Sequence, residues 1–141
     1  MDESNDFCFR DFCNKDGKFQ GVWFTYKKYS LKINDCCQMV MFDATYKTSL
    51  YRYPLINVIG FDGNGEFFKA LVVSEKINHL KWFFTSFESI FTKFKPCVLI
   101  IDRDSSAIPF LKEFYSTSHV IFCQWHIENN VHSHFKKSFV Q

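Results

Sequence analysis

Two aspartates, Asp43 and Asp102, stand where apolar runs of the sequence end. The first run lies in MVMFDATYKT (Met39 to Thr48) and the second in CVLIIDRD (Cys97 to Asp104). Continuous apolar runs of this length are typical of strands buried in a sheet. A carboxylate at such a strand end is either a turn former or helix cap, or a group placed for chemistry. Asp104 competes with Asp102, but Asp102 directly continues the apolar run.

The chemistry of the two aspartates depends on their meeting. If the two strands are parallel neighbours, the carboxylates lie about one strand spacing, 4.8 Å, apart. They then repel each other by a few kcal/mol at an effective dielectric constant of about 20, and a divalent cation removes the conflict. Hard oxygen ligands favour Mg²⁺ or Mn²⁺, and two such ions about 4 Å apart stabilise a phosphoryl displacement. The pattern therefore predicts nuclease or strand-transfer chemistry, in which Asp43 bridges the ions and Asp102 binds one of them.

A second pair with possible chemistry is the C-x-x-H of Cys123 and His126. This spacing can put a thiolate and an imidazole on one zinc ion, although it supplies only two ligands. Cys36 and Cys37 could complete such a site, but no spacing indicates it. The alternative is that His126 has a structural role or supports the carboxylates from outside the metal shell.

The composition indicates one globular domain. The chain has 141 residues, of which 47% are hydrophobic and 20% aromatic, and its net charge of +2 neither requires nor excludes a nucleic-acid partner. No apolar stretch approaches the roughly 18 to 20 residues of a membrane span, and the acidic residues 1–7 do not resemble a secretory signal. We therefore expect an intracellular protein with reduced cysteines, most of them small buried hydrophobic residues.

The first half of the chain predicts strands. Phe7 to Cys13 and Lys18 to Tyr26 flank Asp16-Gly17, a strong hairpin turn. After a short helix or loop within Lys27 to Asp35, a third strand contains Asp43. Tyr53 to Phe61 and Glu66 to Val73 then flank Asn64-Gly65, which predicts an antiparallel pair.

The second half alternates helices and strands. Apolar residues at spacings of three and four predict an amphipathic helix from Ile77 to Phe94, which ends before Pro96. The strand CVLII follows, and then a helix capped by Ser105 or Ser106, with Pro109 in its first turn. His119 to Cys123 is predicted as a short strand, and a helix runs from Gln124 to the end.

This order of elements predicts an α/β fold with a mixed sheet. Three antiparallel strands are followed by two parallel strands with flanking helices, and an N-terminal β-hairpin comes first. Right-handed crossovers place CVLII parallel to the Asp43 strand, an arrangement found in ribonuclease-H-like domains. We assign residues 1–37 to the hairpin and lead-in segment and residues 38–141 to the ribonuclease-H-like domain, truncated at its C-terminus.

Three segments resemble a known family. FDATYKTSLYRYPLINVIGFDGNGE, VLIIDRDSSAI and FCQWHIENNV are similar to the transposase domain of Mutator-like elements (MULE). The far-red-impaired-response regulators of plants and the zinc-finger SWIM proteins of animals are domesticated relatives of these transposases. The resemblance implies a ribonuclease-H-like fold and a DDE-type metal site that cleaves DNA and transfers strands. It makes Asp43 and Asp102 the first two acids and Cys123 and His126 the family's C-x-x-H pair.

The resemblance also implies an incomplete site. The family's third acid, a Glu, lies well beyond the C-x-x-H pair, and Glu113 and Glu128 are the only acids after Asp104. We therefore expect a fragment with a partial site that is inactive as an isolated chain and lies in the nucleus or cytoplasm. DNA is the expected partner, and a second copy of the chain is a further candidate. The alternatives are a transposase-derived DNA-binding or regulatory module without catalysis, and a ribonuclease that uses Glu128.

Overall fold

The computed structural model describes residues 6–31, 33, 38–45, 53–61, 63, 67–73, 77–102 and 107–138. In these residues the strands are β1 (Phe7–Cys13), β2 (Phe19–Tyr26), β3 (Met39–Thr45), β4 (Leu55–Phe61), β5 (Phe67–Val72), β6 (Val98–Ile101) and β7 (His119–Phe122). The α-helices are α1 (Ile77–Ile90), α2 (Ile108–Phe114) and α3 (Gln124–Ser138), and Lys27–Tyr29 is a 3-10 turn.

The strands form one mixed sheet with the order β1-β2-β5-β4-β3-β6-β7. Strands β3, β4 and β5 form the predicted antiparallel meander, while β6 runs parallel to β3 and β7 runs parallel to β6. The β1–β2 hairpin turns at Gly17, whose φ of 75° favours glycine. The predicted turn at Asn64-Gly65 lies outside the described residues.

The N-terminal hairpin extends the sheet through the antiparallel pairing of β2 with β5. It also contributes to the core, because Trp23 on β2 is fully buried. Its ring lies edge-on to Phe83 and Phe87 of α1, with centroids 6.0 and 5.2 Å apart. The indole N–H donates a hydrogen bond of 2.6 Å to Oγ of Ser86. The hairpin and the helix are therefore joined by packing and by one polar contact.

Helix α1 buries the apolar face that its spacing predicts. Leu80, Phe83, Phe84 and Phe87 are all buried. The helix ends at Ile90, earlier than the predicted Phe94, because the chain tightens into a turn. In that turn the N–H of Phe94 bonds to the carbonyl of Phe91, three residues back, and both rings remain in the core.

The remaining two helices differ in how deeply they pack. Helix α2 begins after Ala107, with Pro109 in its first turn as predicted, and its Leu111 is buried. The predicted cap residues Ser105 and Ser106 lie outside the described residues. Helix α3 exposes most of its side chains, and it therefore adds little to the core. In the described part of the chain, no helix combines the length and the apolar character needed to cross a membrane.

The described cysteines are less buried than the sequence analysis predicts. Cys13 and Cys97 are exposed, and Cys8 and Cys123 are only partly buried. Cys13 ends β1 at the hairpin turn, and Cys97 directly precedes β6, so neither lies over the core. These four cysteines are free thiols.

Candidate functional site

Asp43 lies near the end of β3 and points away from the helices α1 and α2. Side chains alternate between the two faces of a strand. Val40 and Phe42 belong to the core face, where the Phe42 ring contacts Phe84 of α1 at 5.4 Å. Asp43 is therefore on the opposite face, which we call the acid face. Its side chain is 40% exposed.

Asp102 occupies the neighbouring position on the next strand. Phe42 of β3 pairs with Ile101 of β6 in parallel register, so Asp43 and Asp102 are each one residue beyond a paired position. Ile101 is fully buried on the core face, which directs Asp102 to the acid face. The Asp102 side chain is 33% exposed. The sheet thus brings the two carboxylates to the same edge, where solvent and a ligand can reach them.

His126 contacts both carboxylates. Its Nε2 lies 3.6 Å from Oδ1 of Asp43 and 3.9 Å from Oδ2 of Asp102. These separations exceed hydrogen-bond length but permit a direct electrostatic interaction. The Nδ1 atom of the same ring is buried and has no hydrogen-bond partner among the described residues.

The C-x-x-H spacing explains how His126 reaches the carboxylates. Cys123 directly follows β7, and its N–H bonds to the carbonyl of Ile101 at 2.9 Å. Helix α3 starts at the next residue, and the N–H of Ile127 bonds to the carbonyl of Cys123. His126 therefore lies in the first turn of α3, directly above the strand ends. The motif works here as a strand-to-helix corner that aims an imidazole at the acid pair.

Asn57 is a further polar residue at this site, and the sequence analysis does not single it out. It pairs directly with Asp43 across β3 and β4, and its Nδ2 lies 3.5 Å from Oγ1 of Thr45. One feature of the sequence could have indicated Asn57: it is the one polar side chain within the strand LINVIGF.

The other acids do not join the pair. Glu113 is exposed on α2, which packs against Phe84 on the core side of the sheet. Glu128 is exposed on α3, and its Oε1 accepts a 2.7 Å hydrogen bond from Gln124. Asp104, Cys36 and Cys37 lie outside the described residues. Within the described ranges, no group of three or more His, Cys, Asp or Glu residues is arranged to hold a metal ion.

The fold and the site define an α/β protein with an acid pair at the carboxyl ends of two neighbouring parallel strands. The family model for the MULE transposase domain matches residues 39–130, which include both aspartates and the C-x-x-H pair. The chain therefore belongs to the MULE transposase domain family.

One curated relative comes from Arabidopsis thaliana. Protein FAR1-RELATED SEQUENCE 5 is 25% identical to this chain over 91 residues. The match covers 62% of this chain and 12% of that protein. The chain thus spans a small part of the length of this relative. No solved structure matches the chain.

Proposed function

We propose that this chain is the ribonuclease-H-like part of a MULE-type DDE transposase domain, whose ancestral reactions are metal-dependent DNA cleavage and strand transfer. The observation that carries the proposal is the parallel register of β3 and β6, which makes Asp43 and Asp102 neighbours on one face. The strand order β5-β4-β3-β6-β7 adds support, because three antiparallel strands followed by two parallel strands are the arrangement expected of that fold.

The donor chemistry of the acid pair fits Mg²⁺ or Mn²⁺. Carboxylate oxygens are hard ligands, and Mg²⁺ commonly takes only one or two carboxylates and completes its shell with water and substrate phosphate. Asp43 and Asp102 would hold the ion, and both side chains are open enough to admit it. When bound, the ion would supply Lewis-acid stabilisation of a phosphoryl group and of the attacking oxygen.

His126 positions the acids in this proposal. Its contacts with both carboxylates hold them on one side of the strand ends, and the first turn of α3 fixes the ring. An imidazole beside two carboxylates also lowers their mutual repulsion whenever it carries a proton.

The isolated chain is proposed to be inactive, because the described residues supply two acids where the DDE reaction uses three. The alternative is a transposase-derived module that binds DNA or regulates without catalysis, and the incomplete acid set favours it as well. DNA is the proposed partner, the nucleus is the proposed location, and association with a second copy remains a prediction.

A thermal titration with Mn²⁺ tests the metal site. A ligand that binds only the folded chain stabilises it by about 1.4 kcal/mol at ten times its Kd, so we expect millimolar Mn²⁺ to raise the Tm by several degrees. Asp43→Asn should abolish the rise. The matched control is Glu113→Gln, which neutralises an exposed acid on the other side of the sheet and should keep it. An unchanged Tm in the unmodified chain would favour the module without catalysis.

A further inference from the structure

Four aromatic side chains cover one face of the N-terminal hairpin. Phe7 and Phe9 of β1 pair with Tyr26 and Phe24 of β2, and direct partners share a face of the sheet. We call these four residues the aromatic face. Phe9 is 56% exposed and Tyr26 is 42% exposed. The Phe7 and Tyr26 ring centroids lie 4.3 Å apart at an interplanar angle of 34°, so these two rings pack against each other across the hairpin.

Lysines border these rings. Nζ of Lys28 lies 4.9 Å from the ring centroid of Tyr26 and 5.2 Å from that of Tyr29. Lys69 of β5 and Tyr26 line the same cavity of about 100 Å³. Such a cavity is well below the roughly 300 Å³ of common small-molecule sites. It could therefore accept the edge of one ring but not a whole cofactor.

The aromatic face lies on the same side of the sheet as the acid pair. A row of direct partners runs from Phe9 through Phe24, Leu71 and Asn57 to Asp43. Side chains in such a row share one face. Phe24 is three strands from Asp43, which is about 14 Å at 4.8 Å per strand.

We propose that the aromatic face binds single-stranded DNA and that the bound strand runs along the sheet towards the acid pair. The direction of the strand rests on the proposed function, whereas the binding itself does not. Exposed rings give bases a stacking surface, and neighbouring lysines neutralise phosphates. Lys28 and Lys69 supply that charge beside Tyr26. Asp11, two residues beyond Phe9 on the same strand face, marks the acidic limit of the surface.

A single strand fits this surface better than a duplex. Base-paired DNA presents phosphates outward and keeps its base faces stacked inside, so rings on an open sheet cannot reach them. A protein partner could also cover exposed rings, but Lys28 and Lys69 beside them favour a polyanion. RNA offers the same base faces, and the comparison of DNA with RNA is therefore included in the test.

The test is fluorescence anisotropy of a labelled 20-nucleotide oligo(dT), titrated with the 141-residue chain in EDTA at low salt. Phe9→Ala and Tyr26→Ala should each raise the Kd at least about fivefold. Tyr26→Phe keeps a ring and should bind like the unmodified chain. Lys28→Ala should lower the slope of log Kd against log salt concentration by about 0.7. Circular dichroism of each variant checks that the fold is kept.

The matched control is Phe135→Ala on α3. Phe135 is 59% exposed, close to the 56% of Phe9, but it lies on the last helix and not on the hairpin. This variant should change the Kd less than twofold. An equal loss in Phe135→Ala, no binding of oligo(dT), or equal affinity for a duplex of the same length would overturn the proposal. Tighter binding of oligo(U) would overturn the assignment to DNA.

The same assay separates this inference from the proposed function. Because EDTA removes divalent ions, the oligo(dT) titration does not depend on metal binding at the acid pair. Failure of the Mn²⁺ titration would therefore count against the metal site alone, and failure of the oligo(dT) titration would count against the aromatic face alone.

Discussion

Gly60→Ala should disrupt the centre of the sheet. Gly60 on β4 is buried and pairs with Phe68 on β5, whose ring lies over it. A Cβ added at Gly60 would meet Cε1 of that ring at 1.9 Å, and Cζ and Cδ1 at 2.5 and 2.7 Å. Ordinary carbon contacts are about 3.5 to 4.0 Å, so the ring must move by roughly 1.6 Å. The glycine is needed for space, because the ring fills the position of its missing side chain.

The surrounding core limits that movement. Phe68 is buried, and its ring contacts Phe87 and Phe94 at centroid distances of 6.3 and 6.0 Å. Overpacking a core costs about 1 to 3 kcal/mol, and a clash with a confined ring belongs at the upper end. We therefore expect Gly60→Ala to lower the free energy of unfolding by about 3 kcal/mol. The Tm should fall by roughly 10 °C.

Urea unfolding followed by circular dichroism measures this loss. Gly63→Ala is the matched control, because the nearest atom to its new Cβ, Oε1 of Gln38, is 4.0 Å away. Combining Gly60→Ala with Phe68→Leu should cost at least about 1 kcal/mol less than the sum of the two changes, since the smaller side chain makes room for the methyl group. If Gly60→Ala is as mild as Gly63→Ala, the packing of β4 against β5 is wrong.

Three further changes test the hairpin contact, the acid pair and the thiols. Ser86→Ala leaves the indole N–H of buried Trp23 without its acceptor, so urea unfolding should show a loss of about 1 to 3 kcal/mol; an unchanged midpoint would contradict the contact. His126→Ala leaves the carboxylates without the imidazole, so Asp43→Asn should be more favourable in that background by about 0.5 kcal/mol. A double-mutant cycle without coupling would refute this. The exposed Cys13 and Cys97 thiols should react quickly with Ellman's reagent in the folded chain, and Cys97→Ser should lower the amplitude of that fast phase by one thiol.

The sequence predicts the elements near the acids well because their patterns are local. The apolar runs that end at Asp43 and Asp102 specify strands, and the helix period of α1 requires a crossover between them. A crossover of that length makes β6 parallel to β3. The neighbouring positions of the two aspartates follow from these local patterns, whereas their role as metal ligands remains a prediction.

Other features depend on contacts between distant parts of the chain. The pairing of β2 with β5 buries Trp23, but no local sequence pattern in β2 indicates that β5 is the strand it pairs with. The position of His126 requires β7 to lie beside β6 and α3 to begin at once after Cys123. The C-x-x-H spacing alone therefore left zinc binding open as an alternative. The exposure of Cys97 depends in the same way on where the chain enters the sheet.

The most direct test of the central claim is whether one Mn²⁺ ion depends on both aspartates. Electron paramagnetic resonance measures free Mn²⁺ and gives its affinity for the chain and for Asp43→Asn, Asp102→Asn and the double variant. Shared binding predicts that each single change weakens the affinity at least about tenfold, and that the double change adds little. Mn²⁺ binding that survives in the double variant would contradict a metal site at this acid pair.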